Sequence, residues 1–209
     1  MATLLRHWSY RYQWLYDTVS SLAALAVGGN RRFRQLPLQG LAIGTDSEVL
    51  DLCCGAGPVT QQLLHYSRRV TGLDASPVAL QRAARRAPGA DYIVGQAEAP
   101  PLASNRFDLV HTSVAMHEMA AAQRRQIYRA VYRILKPGGT FVMLDFHSPT
   151  NLLYWPGLAL FLGLFETETA WQLLQADAIA ELQPLGFEQC ERTLHAGGSL
   201  QVVRTRKPD

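Results

Sequence analysis

Large apolar and aromatic side chains recur at steps of three and four residues near the start of the chain. The recurring residues are Trp8, Tyr12, Leu15, Val19 and Leu22. That spacing is the period of a helix, and Gly28-Gly29-Asn30 predicts where the helix stops. A second short helix is expected near residues 31–36, ahead of Pro37. Residues 1–40 are therefore predicted to form an N-terminal helical cap.

The pattern changes after residue 46, where short apolar runs alternate with amphipathic stretches. The apolar runs predict strands at SEVLDLC, RVTGLD, DYIVGQ, FDLVHTSV and GTFVMLDF. The stretches with helical spacing are VTQQLLHY, SPVALQRAARRA and AAQRRQIYRAVYRIL. Ser76 is suited to cap the second of these helices, with Pro77 at its first position. Strands that alternate with helices predict a mostly parallel sheet covered on both faces.

The C-terminal third has two further strands and one unusual segment. AIAELQPLGF, EQCERTL and SLQVVRTR predict a helix and two strands, and the AGG turn predicts an antiparallel hairpin at the sheet edge. Residues 41–209 are therefore predicted to form one domain. Within it we expect a lid-like insertion at residues 150–172, after the fifth strand. Its apolar run, from Leu152 to Phe165, is too short to span a bilayer.

Composition and charge narrow the choice of partners. The formal net charge over 209 residues is +3, too small a bias to indicate a nucleic-acid partner. Arg82, Arg85 and Arg86 share one helix face, which we expect to be solvated. The three cysteines include no pair at zinc spacing, so no metal site is predicted and a reducing compartment fits. We expect a cytoplasmic protein, and a peripheral contact of the lid with a membrane stays open.

The stretch VLDLCCGAG carries the first chemical signal. A tight strand-to-helix turn rich in small residues lets a ligand approach the backbone and aims free N–H groups at it. Asp74 ends the next strand about twenty residues after the glycines, where a carboxylate can bind two ribose hydroxyls. GAGPVT also passes for a degenerate dinucleotide fingerprint. Asp51 argues against it, because a carboxylate there would repel a pyrophosphate and suit an ammonium or sulfonium ligand.

Four ordered motifs between Glu48 and Phe146 resemble those of the class I S-adenosylmethionine-dependent methyltransferases. They are VLDLCCGAG, VTGLDASPVAL, GQAEAPPLASNRFDLVHTSVAMHEM and RILKPGGTFVMLDF. The resemblance implies a Rossmann-like, doubly wound α/β fold with a mostly parallel seven-stranded sheet. Its strand order would be 3-2-1-4-5-7-6, with strand 7 antiparallel. The implied cofactor is S-adenosylmethionine, and the product is S-adenosylhomocysteine.

The resemblance also implies which residues bind the cofactor. The methionine end would be lined by Asp51, Cys53, Gly55 and Gly57, and the end of the fourth strand would face it with His111, Thr112 and Ser113. The ribose would be bound by Asp74, with Ala75, Ser76, Gln96 and Ala97 around the adenine.

Two residues depart from the family pattern. Cys53 stands where a glycine is usual, so we expect the backbone there to keep a negative φ. Gln96 stands where an aspartate is usual, and its amide oxygen can still accept a hydrogen bond. The cysteines are interpreted as small apolar fillers under the loop, with a catalytic thiol as the alternative.

The two ends of the chain indicate the acceptor. WLYDTVSSLAALAVGGNRRFRQLPL and LHAGGSLQVVRTRK resemble the ends of the ubiquinone/menaquinone-biosynthesis C-methyltransferases (methyltransferase type 11). The resemblance implies a small aromatic or lipophilic acceptor, such as a prenylated quinol. Candidate acceptor contacts are Tyr16, Asp17, Tyr154 and Trp155.

A quinol acceptor must lose a proton, and a histidine is suited to take it. His117 follows the fourth strand and His147 the fifth, at the edge of the sheet where ligands bind in such folds. Both are candidate general bases, and the alternative for each is a hydrogen-bonded structural histidine.

Three other functions stay open on the sequence. The first is O- or N-methylation of a natural product. The second is a module that binds S-adenosylmethionine without catalysis, which the changes at Cys53 and Gln96 keep open. The third is a nicotinamide-dependent oxidoreductase, against which Asp51 argues.

Overall fold

The computed structural model describes residues 27–209. The predicted first helix of the cap, with Tyr16 and Asp17, lies outside these residues, so the cap stays a prediction there. The second short helix is present as α1 (Asn30–Gln35), followed by a 3-10 turn (Leu36–Leu38).

The remaining elements follow the predicted alternation of strands and helices. The strands are β1 (Glu48–Leu52), β2 (Arg69–Asp74), β3 (Asp91–Val94), β4 (Phe107–Ser113), β5 (Leu135–Phe146), β6 (Glu188–His195) and β7 (Leu200–Arg206). The helices are α2 (Thr60–Leu63), α3 (Pro77–Arg86), α4 (Ala121–Ile134), α5 (Trp155–Phe165), α6 (Glu168–Gln175) and α7 (Ala178–Leu182). Short 3-10 turns occupy Met116–Glu118, Leu152–Tyr154, Gln183–Leu185 and Ala196–Gly198.

The sheet confirms the predicted topology. Its seven strands have the order β3-β2-β1-β4-β5-β7-β6. The first five strands are parallel, whereas β7 runs antiparallel to β5 and forms the edge hairpin with β6. The carboxyl ends of β1, β2 and β4 therefore meet at one edge of the sheet.

Alternating side chains cover both faces of the sheet with an apolar layer. On one face Leu50, Val110 and Phe141 pack in a cluster with Ile127 and Val131 of α4. The opposite face is covered by α2, α5 and α6 through Leu63, Leu162, Ala170 and Leu174, which pack with the alternate strand residues Val49, Leu109, Val142 and Leu144. This two-sided burial explains why the strands read as nearly continuous apolar runs.

Local sequence signals fix several element boundaries. The Ser76 hydroxyl accepts a hydrogen bond from Ala79 N at 3.2 Å, as a helix N-cap does, and Pro77 opens α3. Gly186, with a φ of 97°, ends the helical segment formed by α7 and the 3-10 turn that follows it. No helix within residues 27–209 is long and apolar enough to cross a membrane.

Candidate active site

The turn after β1 is held by the side chain of Asp74, at the end of β2. Its Oδ2 accepts a hydrogen bond from Gly55 N and its Oδ1 one from Ser76 N, both at 2.9 Å. One carboxylate thus ties the small-residue turn to the start of α3. Because Asp74 remains half-buried, the same carboxylate can still accept hydrogen bonds from a ligand.

Two glycines of the turn differ in what surrounds them. A Cβ at Gly57 would lie 2.9 Å from the Ala83 Cβ, so glycine lets α3 pack against the turn. A Cβ at Gly55 would meet no atom within 4 Å. Both glycines have a left-handed backbone, with φ of 74° and 53°. The turn therefore leaves open space in front of Gly55, where a ligand can approach the backbone.

The prediction of a negative φ at Cys53 is wrong, because its φ is 59°. The chain must reverse sharply between Leu52 and the N–H of Cys54, which donates to Leu73 O at 3.0 Å. The turn imposes this left-handed geometry whatever residue stands there. A non-glycine residue pays roughly 1–2 kcal/mol for it.

The two thiols of the turn are held neutral. Burial, with the carboxylates of Asp74 and Asp51 next in importance, raises the pKa of Cys53 to about 12. Burial also raises the pKa of Cys54, which is 7% exposed. Because a reactive cysteine needs its thiolate, this environment gives no support to a catalytic thiol and favours the role of packing residues.

Asp51 belongs to a buried hydrogen-bonded group of three side chains. Its Oδ1 lies 2.9 Å from His111 Nδ1, and its Oδ2 accepts a hydrogen bond from the Thr60 hydroxyl at 2.6 Å. All three residues are at most 2% exposed. The sequence places Asp51 against the positive charge of the cofactor, whereas in the structure its two oxygens bind protein groups.

The end of β4 does not present all three of its predicted residues to one side. His111 points to Asp51, with which it also pairs in register, and its Nε2 is buried without a hydrogen-bond partner among the described residues. Thr112 is fully buried on the opposite face of the strand. Ser113 is half-buried at the strand end. The next residue, Val114, has a φ of 53°, which is a strained value for a β-branched side chain.

His117 lies in a second buried group, between two carboxylates. Its Nδ1 is 2.8 Å from Asp145 Oδ1, and its Nε2 is 3.5 Å from Glu166 Oε2. Burial opposes the charged imidazole, but Asp145 and Glu166 outweigh burial and raise the pKa of His117 to about 10. At neutral pH the ring is therefore an imidazolium, which has no free lone pair to act as a general base.

His147 has a different environment from His117. Its Nδ1 lies 3.0 Å from Gly198 O, and since a carbonyl only accepts, Nδ1 carries the proton. In this tautomer the lone pair of the ring lies on Nε2. The residue is half-buried at the carboxyl end of β5, so this nitrogen remains a candidate base.

Comparison with known proteins places this geometry in a family. Residues 49–139 match the model of a methyltransferase domain. An uncharacterized methyltransferase of Synechocystis sp. is 54% identical over 206 residues, which cover 99% of this chain and 97% of that protein. The chain belongs to the S-adenosylmethionine-dependent methyltransferases.

Two further similarities refine this assignment. A demethylmenaquinone methyltransferase of Paenarthrobacter aurescens is 27% identical over 93% of this chain and 82% of its own length. The crystal structure of a TehB-like SAM-dependent methyltransferase from Corynebacterium glutamicum matches with a TM-score of 0.64 at 18% identity, over 95% of this chain and 97% of that one. The fold is thus that of a class I methyltransferase, and its cofactor is S-adenosylmethionine.

The residues of this methyltransferase fit that cofactor. The open space at Gly55 and the half-buried Asp74 carboxylate lie side by side at the carboxyl edge of the sheet. Ala75, Ser76 and Gln96 are exposed at the ends of β2 and β3, whereas Ala97 is buried.

A cavity of about 510 Å³ lies at the opposite edge of the sheet, beside Asp108 and Gly139, and none of the predicted site residues lines it.

The lid segment of the methyltransferase packs against the β6–β7 turn through its first residues. The Tyr154 ring lies directly against Gly197 of the β6–β7 turn, where a Cβ would clash with it. Trp155 and Phe161 pack at the edge of the cluster that contains Leu158 and Leu162. Tyr154 and Trp155 are therefore brought to the same edge of the sheet as His147.

Three residues of the site were missed in the sequence. They are Asp145, Glu166 and Thr60, which carry buried hydrogen bonds or ion pairs. Asp145 is the last residue but one of the motif RILKPGGTFVMLDF, and Thr60 ends GAGPVT, but neither motif indicates a partner for them. Asp145 could have been suspected, because a carboxylate inside the apolar strand GTFVMLDF needs a buried partner. Glu166 follows the lid helix, where an ordinary exposed glutamate is equally expected.

Proposed function

We propose that this methyltransferase transfers a methyl group to a ring carbon of a small lipophilic aromatic acceptor, such as a prenylated quinol. The observation that carries the proposal is the packing of the segment after β5. Its helix α5 is almost wholly apolar, Tyr154 lies against Gly197, and Phe161 packs on Phe146, the last residue of β5. That end of β5 lies at the same edge of the parallel strands as the turn after β1 (residues 53–59), which we call the cofactor turn. Flat apolar molecules bind such surfaces. The similarity to a demethylmenaquinone methyltransferase supports the same acceptor class.

In this proposal the protein's residues position the reactants and move one proton. The bound cofactor supplies an electrophilic methyl group on its sulfonium. Asp74 and the turn at Gly55 fix the cofactor, and the lid excludes water from the acceptor. His147 accepts the proton of an acceptor hydroxyl at Nε2, so that the oxygen electron pair activates the neighbouring ring carbon. As this carbon bonds to the methyl group, the methyl–sulfur bond breaks. The ring carbon then releases its own hydrogen to water as a proton, and His147 returns its proton to the oxygen, which restores the aromatic quinol.

The proposed binding mode has a testable chemical outcome. Purified protein is incubated with S-adenosylmethionine and a reduced prenylated naphthoquinol that lacks the ring methyl group, and S-adenosylhomocysteine is quantified. The expected product gains one methyl group on carbon, identified by fragmentation in mass spectrometry. The same quinol with the position already methylated is the control and is expected to give no product. Methylation of the oxygen, or none with this acceptor, would overturn the proposal.

The role of His147 is tested with a matched histidine. His147→Gln is expected to lower kcat by roughly 100-fold, the size of a lost general base. His65→Gln is the control, because His65 is exposed and its Nδ1 also lies 3.0 Å from a backbone carbonyl, that of Gln61. Equal turnover by the two variants would remove His147 from the mechanism.

We also propose that the protein is cytoplasmic and contacts a lipid surface through the lid. Leu152 and Leu153 are 78% and 86% exposed, and Leu160 is 65% exposed. The exposed Arg32 of α1 lies near half-buried His195, whose pKa is lowered by burial and then by Arg32. His195 directly precedes the turn that contacts Tyr154, so a positive charge lies on the side where the lid begins. Exposed leucines with a nearby cation suit an anionic membrane.

A sedimentation assay tests this contact. The protein is expected to pellet with vesicles rich in anionic lipid and less with zwitterionic ones. Leu153→Gln should reduce pelleting, whereas the control Leu194→Gln, on β6, should not. Equal pelleting by both variants would place the contact elsewhere.

A further inference from the structure

The first part of the lid segment, residues 150–166, is attached to the rest of the protein at both ends. At its start, the N–H groups of Thr150 and Asn151 donate to Gly197 O at 3.0 and 2.9 Å. At its end stands Glu166, the residue that follows α5, whose side chain is 6% exposed. Backbone hydrogen bonds to a hairpin turn hold the first end, and a buried charge holds the second.

The charge at the second end faces His117. Glu166 Oε2 is 3.5 Å from Nε2, and Asp145 Oδ1 is 2.8 Å from Nδ1 of the same ring. Nδ1 is within hydrogen-bond distance of Asp145, whereas Nε2 has no hydrogen-bond partner among the described residues and meets Glu166 only as an ion-pair contact. Only an imidazolium carries an N–H on both ring nitrogens, one toward each carboxylate. Because a buried charge is costly unless it is paired, the three side chains stabilise one another's position.

Asp145 connects this bridge to the loop after β4. Its Oδ2 accepts hydrogen bonds from the backbone N–H groups of Ala115, Met116 and His117, at 3.2, 2.8 and 3.3 Å. Since β4 is the direct neighbour of β1 in the sheet, this loop borders the edge that carries the cofactor turn. The lid is thus linked through two carboxylates and one imidazolium to the cofactor side of the site.

Between its two attached ends the lid helix packs on the core through one side only. Leu158 and Leu162 of α5 are buried, and Trp155 and Phe161 pack half-buried at the edge of the same cluster. On the other side Leu160 is 65% exposed. A short helix packed through one side depends in part on its ends for its position, so the loss of one end is expected to loosen it.

We infer that His117 and Glu166 are positioning residues that hold the lid over the acceptor side of the site. His117 acts through Glu166 and does not touch the reacting atoms. This inference rests on the proposed function for the identity of the acceptor, but the placement of the lid is measurable without any acceptor.

Hydrogen–deuterium exchange of the α5 amides tests the inference, with Glu166→Ala and Glu166→Gln as variants. Glu168→Gln is the matched control, because Glu168 is an exposed glutamate two residues further on. We expect α5 exchange to rise by about tenfold or more in Glu166→Ala, as for a broken buried ion pair. The glutamine variant keeps an oxygen beside Nε2 but loses the charge of the ion pair, so it should restore only part of the protection. The control should match the wild type.

Two outcomes would overturn the inference. One is unchanged α5 exchange in Glu166→Ala. The other is an equal rise in α5 and in the β1 amides, which would show that Glu166 only stabilises the whole domain. Calorimetric titration with S-adenosylhomocysteine tests the cofactor site independently of the lid. The affinity of the Glu166 variants for it should stay within about threefold of wild type. Failure of the wild type itself to bind would count against the cofactor site and leave the exchange result valid for the lid.

Where the proposed quinol is turned over, a kinetic measurement adds a second criterion. A displaced lid is expected to raise KM for the quinol in Glu166→Ala more than KM for S-adenosylmethionine. An equal rise in both constants would contradict a specific role in holding the lid over the acceptor.

Discussion

The carboxylate of Asp51 and the imidazole of His111 meet across neighbouring strands, with 2.9 Å between Oδ1 and Nδ1. The two residues pair directly in the register of β1 and β4, and the second carboxylate oxygen accepts from Thr60. Asp51 therefore joins two strands and the helix after the cofactor turn. Its main measurable effect is expected on stability.

Asp51→Ala should lower the free energy of unfolding by about 1–3 kcal/mol, because buried His111 and Thr60 lose a hydrogen-bond partner. Urea denaturation monitored by circular dichroism measures the change. Asp46→Ala is the control, since Asp46 forms an exposed pair with Arg68. If the two variants lost the same stability, the buried group would not hold the turn as described.

The left-handed backbone at Cys53 predicts an unusual order of stabilities. Glycine adopts a φ of 59° without steric cost, whereas alanine does not, so Cys53→Gly should be more stable than Cys53→Ala by about 1 kcal/mol. At Cys190, which is not among the described residues with positive φ, the order should reverse. Thermal unfolding of the four variants gives both differences. A Cys53→Ala variant at least as stable as Cys53→Gly would refute a strained turn.

Stability should also depend on pH through His117. Its pKa is about 10 in the folded protein against a reference value of 6.5. Because the folded value is the higher one, the buried ion pairs contribute fully below pH 6.5 and their contribution is lost as the pH rises toward 10. The loss should be on the order of 5 kcal/mol.

Urea denaturation across this pH range measures that loss, and His117→Gln should remove most of the slope. His65→Gln should leave it unchanged. Nitrogen NMR gives a direct check, since both ring nitrogens of His117 should carry protons at neutral pH. A neutral His117 ring would revive its candidacy as a general base.

Because the space in front of Gly55 is open to a ligand, a larger side chain at this position is expected to block cofactor binding. Gly55→Val is expected to abolish measurable binding of S-adenosylhomocysteine by calorimetry. Gly29→Val controls for backbone strain, because Gly29 also has a positive φ, of 96°, and no atom within 4 Å of its would-be Cβ. Undiminished binding by Gly55→Val would show that the cofactor lies elsewhere.

The sequence predicted the sheet because its signals were local and repeated. The strand–helix alternation, the Ser76 cap and the AGG turn each needed only a few neighbouring residues, and the family motifs supplied the strand order. Cys53 was mispredicted because its φ is imposed by the geometry of the whole turn. The contacts of Asp51 with His111 and of His117 with Glu166 depend on register between segments about fifty to sixty residues apart in the chain, which side-chain periodicity does not encode.

The most direct test of the cofactor site is the affinity of Asp74→Ala for S-adenosylhomocysteine, measured by calorimetric titration beside the wild type and Asp91→Ala. Asp91 is an exposed aspartate at the start of β3 and serves as the control. Asp74 binds the turn through Gly55 N and the start of α3 through Ser76 N. We predict that its loss weakens binding by about 1–3 kcal/mol while the control is unchanged. Equal affinity in all three proteins would contradict the placement of the cofactor on this turn.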